Sequence, residues 1–269
     1  MRVLIPIASV PDRALASRSS QFYDLRTRGT VDSSMNDVRL SVCILAVPER
    51  RLRARRLLKQ IGAPPEHVDI VFDKRRDGPW LAGQQAWERR SGNATHHLVL
   101  EDDAVVCGDL YEGAKAMLRA VPDSPVMLYA TTPPGADAAY HEALATGRHW
   151  VLTHGFWTVA PVLPVDLIDP IIDWARSHTR HDWQDSYDKR LSVAVQVLGI
   201  ESMVAVPSPV SHDWSIPSIR GHDHMKDFWR PIPSLGERSA LNVDWTRGAD
   251  DPVIDEGLNS VEMYHEWIV

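Results

Sequence analysis

Cysteine is nearly absent from this chain: Cys43 and Cys107 are the only two in 269 residues. Each lies in or beside an apolar segment without zinc-site spacing, so a disulfide framework and a cysteine metal cage are both excluded. They read as buried thiols of a reducing compartment, and the expected location is cytoplasmic. Long apolar runs are lacking too, none approaching the roughly 20 residues that span a bilayer, so no membrane span is expected. The first ten residues only imitate an export signal, because Pro6 interrupts them and Asp12 and Arg13 precede any cleavage position. An excess of positive charge is also missing. With a net charge of -7, contact with nucleic acid or an anionic surface would have to come from a local patch. Arg50, Arg51, Arg53, Arg55, Arg56 and Lys59 form such a patch, for which a solvated helix face is the plainer reading. There is no internal repeat and no low-complexity tract. Phenylalanine is scarce, 4 against 10 tryptophans, a balance that suits ligand-lining rings as well as core.

What is present is an α/β alternation. Residues 1–37 have little periodicity and are read as an N-terminal appendage. Val38–Val47 is a β-rich apolar run closed by Pro48. Ala54, Leu57, Leu58 and Ile61 then fall at helical spacing, with Gly62 as the stop. Val68–Phe72 predicts a second strand ending at Asp73, where a nucleotide-binding sheet would present a carboxylate to a ribose or base. A helix is expected over 80–90. Asp109 and Glu112 have capping-box spacing before a helix carrying Leu110, Ala114, Met117, Leu118 and Val121. Val126–Ala130 predicts a strand, Trp150–Val162 a strand and bend, and Pro164 opens a helix that Pro170 should kink or split. Tyr187, Leu191, Ala194 and Leu198 predict a helix ending at Gly199, and Ile200–Val206 a strand. Pro207–Val269 shows little periodicity.

The organising stretch is His96-His97-Leu98-Val99-Leu100-Glu101-Asp102-Asp103, a buried strand that runs into three adjacent carboxylates. Open α/β sheets bind ligands at the carboxyl ends of their strands. Three neighbouring acids repel one another unless cations or donors compensate them. Hard oxygen ligands at that place suit Mg²⁺ or Mn²⁺. The alternative is an acidic cap before the next helix.

In this order the elements resemble the GT-A class of nucleotide-sugar glycosyltransferases with an EDD-type acidic motif, as in lipopolysaccharide-type and phage-encoded transferases. The resemblance covers residues 38–225, leaving 226–269 as a tail packed on the catalytic domain. It implies a GT-A-like Rossmann-type sandwich, with a mostly parallel central sheet and helices on both faces. By the same resemblance Glu101, Asp102 and Asp103 match the DxD-type motif, with Glu in place of the first Asp. Asp103, Glu101 and His212 would then hold Mn²⁺ or Mg²⁺ against the donor diphosphate, and Asp73, Glu101 and Asp102 would face the donor. His212 closes a Pro207-Ser208…His212 segment similar to one that supplies a third ligand in the class. The class's general base maps to Asp188, about eleven residues before Gly199, with Tyr187 where the class often has Glu; Asp185 is the rival. Arg220, His222, His224 and Lys226 would cover the diphosphate.

The expected activity is transfer of a sugar from a nucleotide-diphosphate sugar to a hydroxyl acceptor, either a saccharide or a modified base such as a hydroxymethylated base in phage DNA. The rival readings are a metal-dependent phosphohydrolase built on His178, His181 and Asp182, a nucleotidyltransferase, and a non-catalytic nucleotide-sugar-binding module.

Overall fold

The computed structural model describes residues 37–74, 78–132, 137–178, 187–217 and 230–255, all within one compact unit, Met35–Val269. In chain order the described elements are β1 (Leu40–Ala46), α1 (Arg51–Ile61), β2 (Val68–Phe72), α2 (Pro79–Glu88), β3 (His96–Glu101), β4 (Ala104–Val106), α3 (Leu110–Ala120), β5 (Val126–Met127), β6 (Thr131–Thr132), α4 (Ala138–Thr146), β7 (Trp150–Thr153), β8 (Pro161–Pro164), α5 (Val165–His178), α6 (Tyr187–Val197), β9 (Ser202–Ala205), β10 (Val210–His212), β11 (Arg230–Pro231) and β12 (Val253–Ile254).

Eight strands form the main sheet in the order β12-β7-β9-β5-β8-β3-β1-β2. The β2–β1–β3 block is parallel and β5 is parallel to β9, whereas β8 runs against β3 and β5, and β7 against β9. The expected α/β class with a large, mostly parallel sheet is therefore present as a mixed sheet. Alternation along the central strands divides the core in two. Leu40, Val42, Ile44, Leu98 and Leu100 pack with α1 and α3. Cys43 and Val99 point the other way, towards Trp80, Trp87, Tyr140, Ile168 and Leu191 of α2, α4, α5 and α6. Period-2 strands buried on both faces place helices on both sides.

Several local expectations change. Pro170 does not split α5, which runs unbroken from Val165 to His178. Pro170 is on the exposed side, so the carbonyl it leaves unpaired meets water, and Ile168, Ile171, Ile172 and Ala175 bury the opposite side on both halves. The capping box at Asp109 is absent. Asp109 stands at the N-cap position of α3 with no side-chain cap bond; its carboxylate instead accepts from Ser239 Oγ and from the Ala240 and Leu241 N–H groups. A neighbouring segment thus supplied more donors than the helix end. Finally, the chain beyond 230 contributes to the sheet itself, with β12 pairing in parallel with β7.

Candidate active site

β1, β2, β3, β5 and β9 point the same way, so their C-terminal ends share one sheet edge. Helices following or preceding those strands return in the opposite sense, which brings the N-termini of α1 and α6 to that edge as well. The acidic triplet leaves β3 there. The Glu101 N–H donates to Val159 O (2.9 Å) and the Asp102 N–H to Leu45 O (3.0 Å), fixing the backbone between β8 and β1.

The three carboxylates then diverge. Asp102 turns inward, 5 % exposed. Its Oδ2 accepts from the Val47 N–H (3.0 Å) and its Oδ1 from Arg50 Nη1 (2.8 Å). Burial raises its pKa against the opposing pull of Arg50 and the Val47 N–H. Each oxygen accepts one of these bonds, so Asp102 anchors the turn. Asp103 takes a second bond from Arg50 Nη1 (3.1 Å) on Oδ2, and that oxygen is 3.4 Å from His212 Nε2. Burial raises the Asp103 pKa, but His212 and Arg50 outweigh it and hold the carboxyl below its usual value.

Glu101 keeps part of its surface open, yet the protein around it is dense enough that burial pushes its pKa up to about 8. The charges of Asp103, Asp188 and Asp102 push the same way, and a hydrogen bond with Thr158 opposes them.

His212 reaches the triplet through a separate two-stranded sheet. β10 pairs antiparallel with β4, setting His212 opposite Ala104, and the Asp213 N–H donates to Asp103 O (2.9 Å). Ser208, at the head of that segment, is buried with Oγ 2.5 Å from the Leu128 and Val210 carbonyls. The rings of Trp214 and Tyr129 flank His212 at centroid distances of 4.4 and 6.3 Å. Arg53 ties the parts together, its Nε donating to Asp102 O (2.7 Å) and its Nη2 pairing with Asp213 (3.0 Å).

Asp188 is exposed in the first turn of α6 and acts electrostatically on Glu101. The residue before it, Tyr187, packs inward. Tyr187 is buried, its hydroxyl accepts from Trp87 Nε1 (2.8 Å), and a Cβ on Gly83 of α2 would overlap its ring. Tyr187 therefore seats the start of α6, and Asp188 alone is left to face out.

Asp73 lies at the end of β2, two strands from Glu101 on the same edge, with its N–H on Ala46 O (2.9 Å). Asp185, Arg220, His222, His224 and Lys226 lie outside the described residues, as do His181 and Asp182. His178 is already engaged, stacked on Trp174 at 5.0 Å with Nδ1 on the Trp174 carbonyl. His96 and His97 of the organising stretch are structural. His97 Nδ1 accepts from Ser41 Oγ (2.8 Å), its Nε2–H donates to Ala86 O (2.9 Å), and burial pushes its pKa down to about 4. Sequence reasoning placed Arg50 and Arg53 in a solvated patch and did not single out Thr158 or Tyr129. The only advance signal for the arginines was their place one turn after a strand end that faces three acids.

Two buried atoms at the site have no hydrogen-bond partner among the described residues, Asp103 Oδ1 and His212 Nδ1. A carboxylate and an imidazole 3.4 Å apart are donor types that suit a divalent cation such as Mn²⁺. Among the described residues no group of three or more His, Cys, Asp or Glu forms a ready cage. Mg²⁺-type sites use one or two carboxylates plus substrate phosphates, so a partial protein set suits a metal that arrives with a diphosphate. No protein-family model matches the chain, and no curated protein matches it significantly.

Proposed function

We propose that this chain is a metal-dependent glycosyltransferase of GT-A type that moves a sugar from a nucleotide-diphosphate sugar to a hydroxyl acceptor with inversion. The observation that carries the reading is the convergence on one sheet edge of Asp103 and His212, each with a buried atom that has no partner among the described residues, beside Glu101, which feels the charges of Asp103 and Asp188. Asp103 and His212, with Glu101, would hold Mn²⁺ or Mg²⁺. The bound cation would supply Lewis-acid stabilisation of the charge that develops on the leaving diphosphate.

The remaining steps belong to the chain. Arg50 and Arg53 hold the acidic turn in one geometry, so Asp103 and His212 do not reorganise as charge builds. Asp188, exposed in the first turn of α6, accepts the proton of the attacking acceptor hydroxyl. The acceptor oxygen bonds to the anomeric carbon as the bond to the diphosphate breaks, and the nucleoside diphosphate departs with the electron pair. Asp73, two strands away on the same edge, would meet the ribose or base of the donor.

The test is incubation of the full chain with labelled UDP-, GDP- and TDP-sugars and Mn²⁺, offering saccharide acceptors and hydroxymethyl-pyrimidine DNA. Transfer of label to an acceptor, lost in Asp103→Ala, is the expected result. Hydrolysis of phosphate esters with metal alone, and no transfer, would favour the phosphohydrolase instead.

A further inference from the structure

The outer face of α1 is basic on a protein that is acidic overall. Arg51, Arg55, Arg56 and Lys59 recur at i, i+4, i+5 and i+8, a single helical face, and all four are exposed. The helix contains no Asp or Glu. Arg51 lies over the Phe72 ring at 5.7 Å; Arg55, Arg56 and Lys59 have no ion pair among the described residues. The opposite face, Ala54, Leu57 and Ile61, is buried in the core. The N-terminal end of the same helix adjoins the candidate site, where Arg50 and Arg53 bind the Asp102–Asp103 turn.

We infer that the outer face of α1 docks the phosphodiester backbone of a nucleic acid. Four exposed cations on one helix face of a protein of net charge -7 are a local electrostatic footprint for a polyanion. From Arg51 to Lys59 the face extends about 12 Å at 1.5 Å per residue, about three base-pair steps of a strand at 3.4 Å each. That is longer than one phosphate group and matches a run of them. Three of the four cations are arginines, whose planar forks suit phosphate oxygens. An anionic membrane fits less well, because a helix lying in a bilayer needs a free apolar face. Here that face is spent on the core, and Leu52, 70 % exposed, is the lone apolar residue among the cations. Docking is sequence-independent, since it addresses phosphates and not base edges. That the docked polymer is also the sugar acceptor rests on the transferase reading; the docking itself does not.

The test measures binding without donor or metal, so it is independent of catalysis. The full chain is titrated into a labelled duplex of about 20 base pairs, and in parallel with phosphatidylglycerol-containing vesicles. Four phosphate contacts at about 0.9 each in salt slope weaken binding about fiftyfold between about 50 and 150 mM salt. The variant Arg55→Gln/Arg56→Gln/Lys59→Gln, altered only at exposed positions, should reduce that salt effect to about threefold and bind weakly even at low salt. Arg176→Gln on α5, on the other face of the sheet, should leave binding unchanged. Thermal melting of the triple variant verifies its fold. Equal binding by the triple variant and wild type, no binding to duplex at low salt, or binding to vesicles in preference to duplex would each overturn the proposal.

Discussion

Replacing Glu101 by Gln should make the metal-free protein gain on wild type in stability as pH rises towards 8. An ordinary glutamate loses its proton near pH 4.3 in the unfolded chain, whereas burial and the Asp103, Asp188 and Asp102 charges hold the folded pKa at about 8. Between those values the native state binds the extra proton, so wild-type stability falls with rising pH at up to about 1.4 kcal/mol per unit. The favourable contribution is complete below the unfolded value, is lost progressively up to about pH 8, and changes no further above it. Over two units, from about pH 5 to 7, the loss attributable to Glu101 is at most about 3 kcal/mol. In a chain of this size that shifts Tm by about 5–10 °C. Gln has similar volume and no ionisation, so the variant should show a flatter Tm profile and overtake wild type towards pH 8. Calorimetric melts of both proteins in chelator across that range are the assay. Parallel profiles would show that Glu101 titrates as an ordinary surface carboxylate, and the electrostatic picture of the site would fail. If Glu101 ligates a cation, Mn²⁺ should flatten the wild-type profile by displacing the proton, an effect absent from Glu101→Gln.

Three further outcomes are expected. Asp188→Asn should lower turnover by roughly 10²–10⁴-fold with little change in donor affinity, the pattern of a lost base, read by steady-state kinetics. Arg50→Ala should cost about 3–5 kcal/mol in denaturant unfolding, because it strands the buried Asp102 carboxylate; the double variant Arg50→Ala/Asp102→Ala should recover much of that loss. Tyr187→Phe should cost about 1–3 kcal/mol by leaving the buried Trp87 indole N–H without an acceptor, and reduce turnover by loosening the start of α6.

The parts legible in the sequence share one property: their signal is local. β3 and the acids that follow it are readable because a short apolar run bounded by charges has one economical placement. α6 is readable because Leu191 and Ala194 keep helical spacing. Features set by distant partners were hidden. Asp109 looked like a helix cap because Glu112 is three residues on, but its true partners are at Ser239 to Leu241, some 130 residues away. The arginines of α1 looked alike in sequence. The structure divides them, with Arg50 and Arg53 folded onto the acidic turn and Arg55 and Arg56 left outside. α4 leaves little trace in the sequence because only Tyr140 and Ala143 of its nine residues are buried, too few to mark a stripe. β11 and β12 are two residues each, below any periodic signal.

The central claim is that Asp103 and His212 hold a divalent cation that binds together with a nucleotide diphosphate. Isothermal titration of UDP or GDP into the full chain, with Mn²⁺ and with chelator, tests it directly. The account predicts binding only with Mn²⁺, abolished in Asp103→Ala and weakened to a lesser degree in His212→Ala. Equal affinity in chelator, or undiminished Mn²⁺-dependent binding by Asp103→Ala, would contradict it.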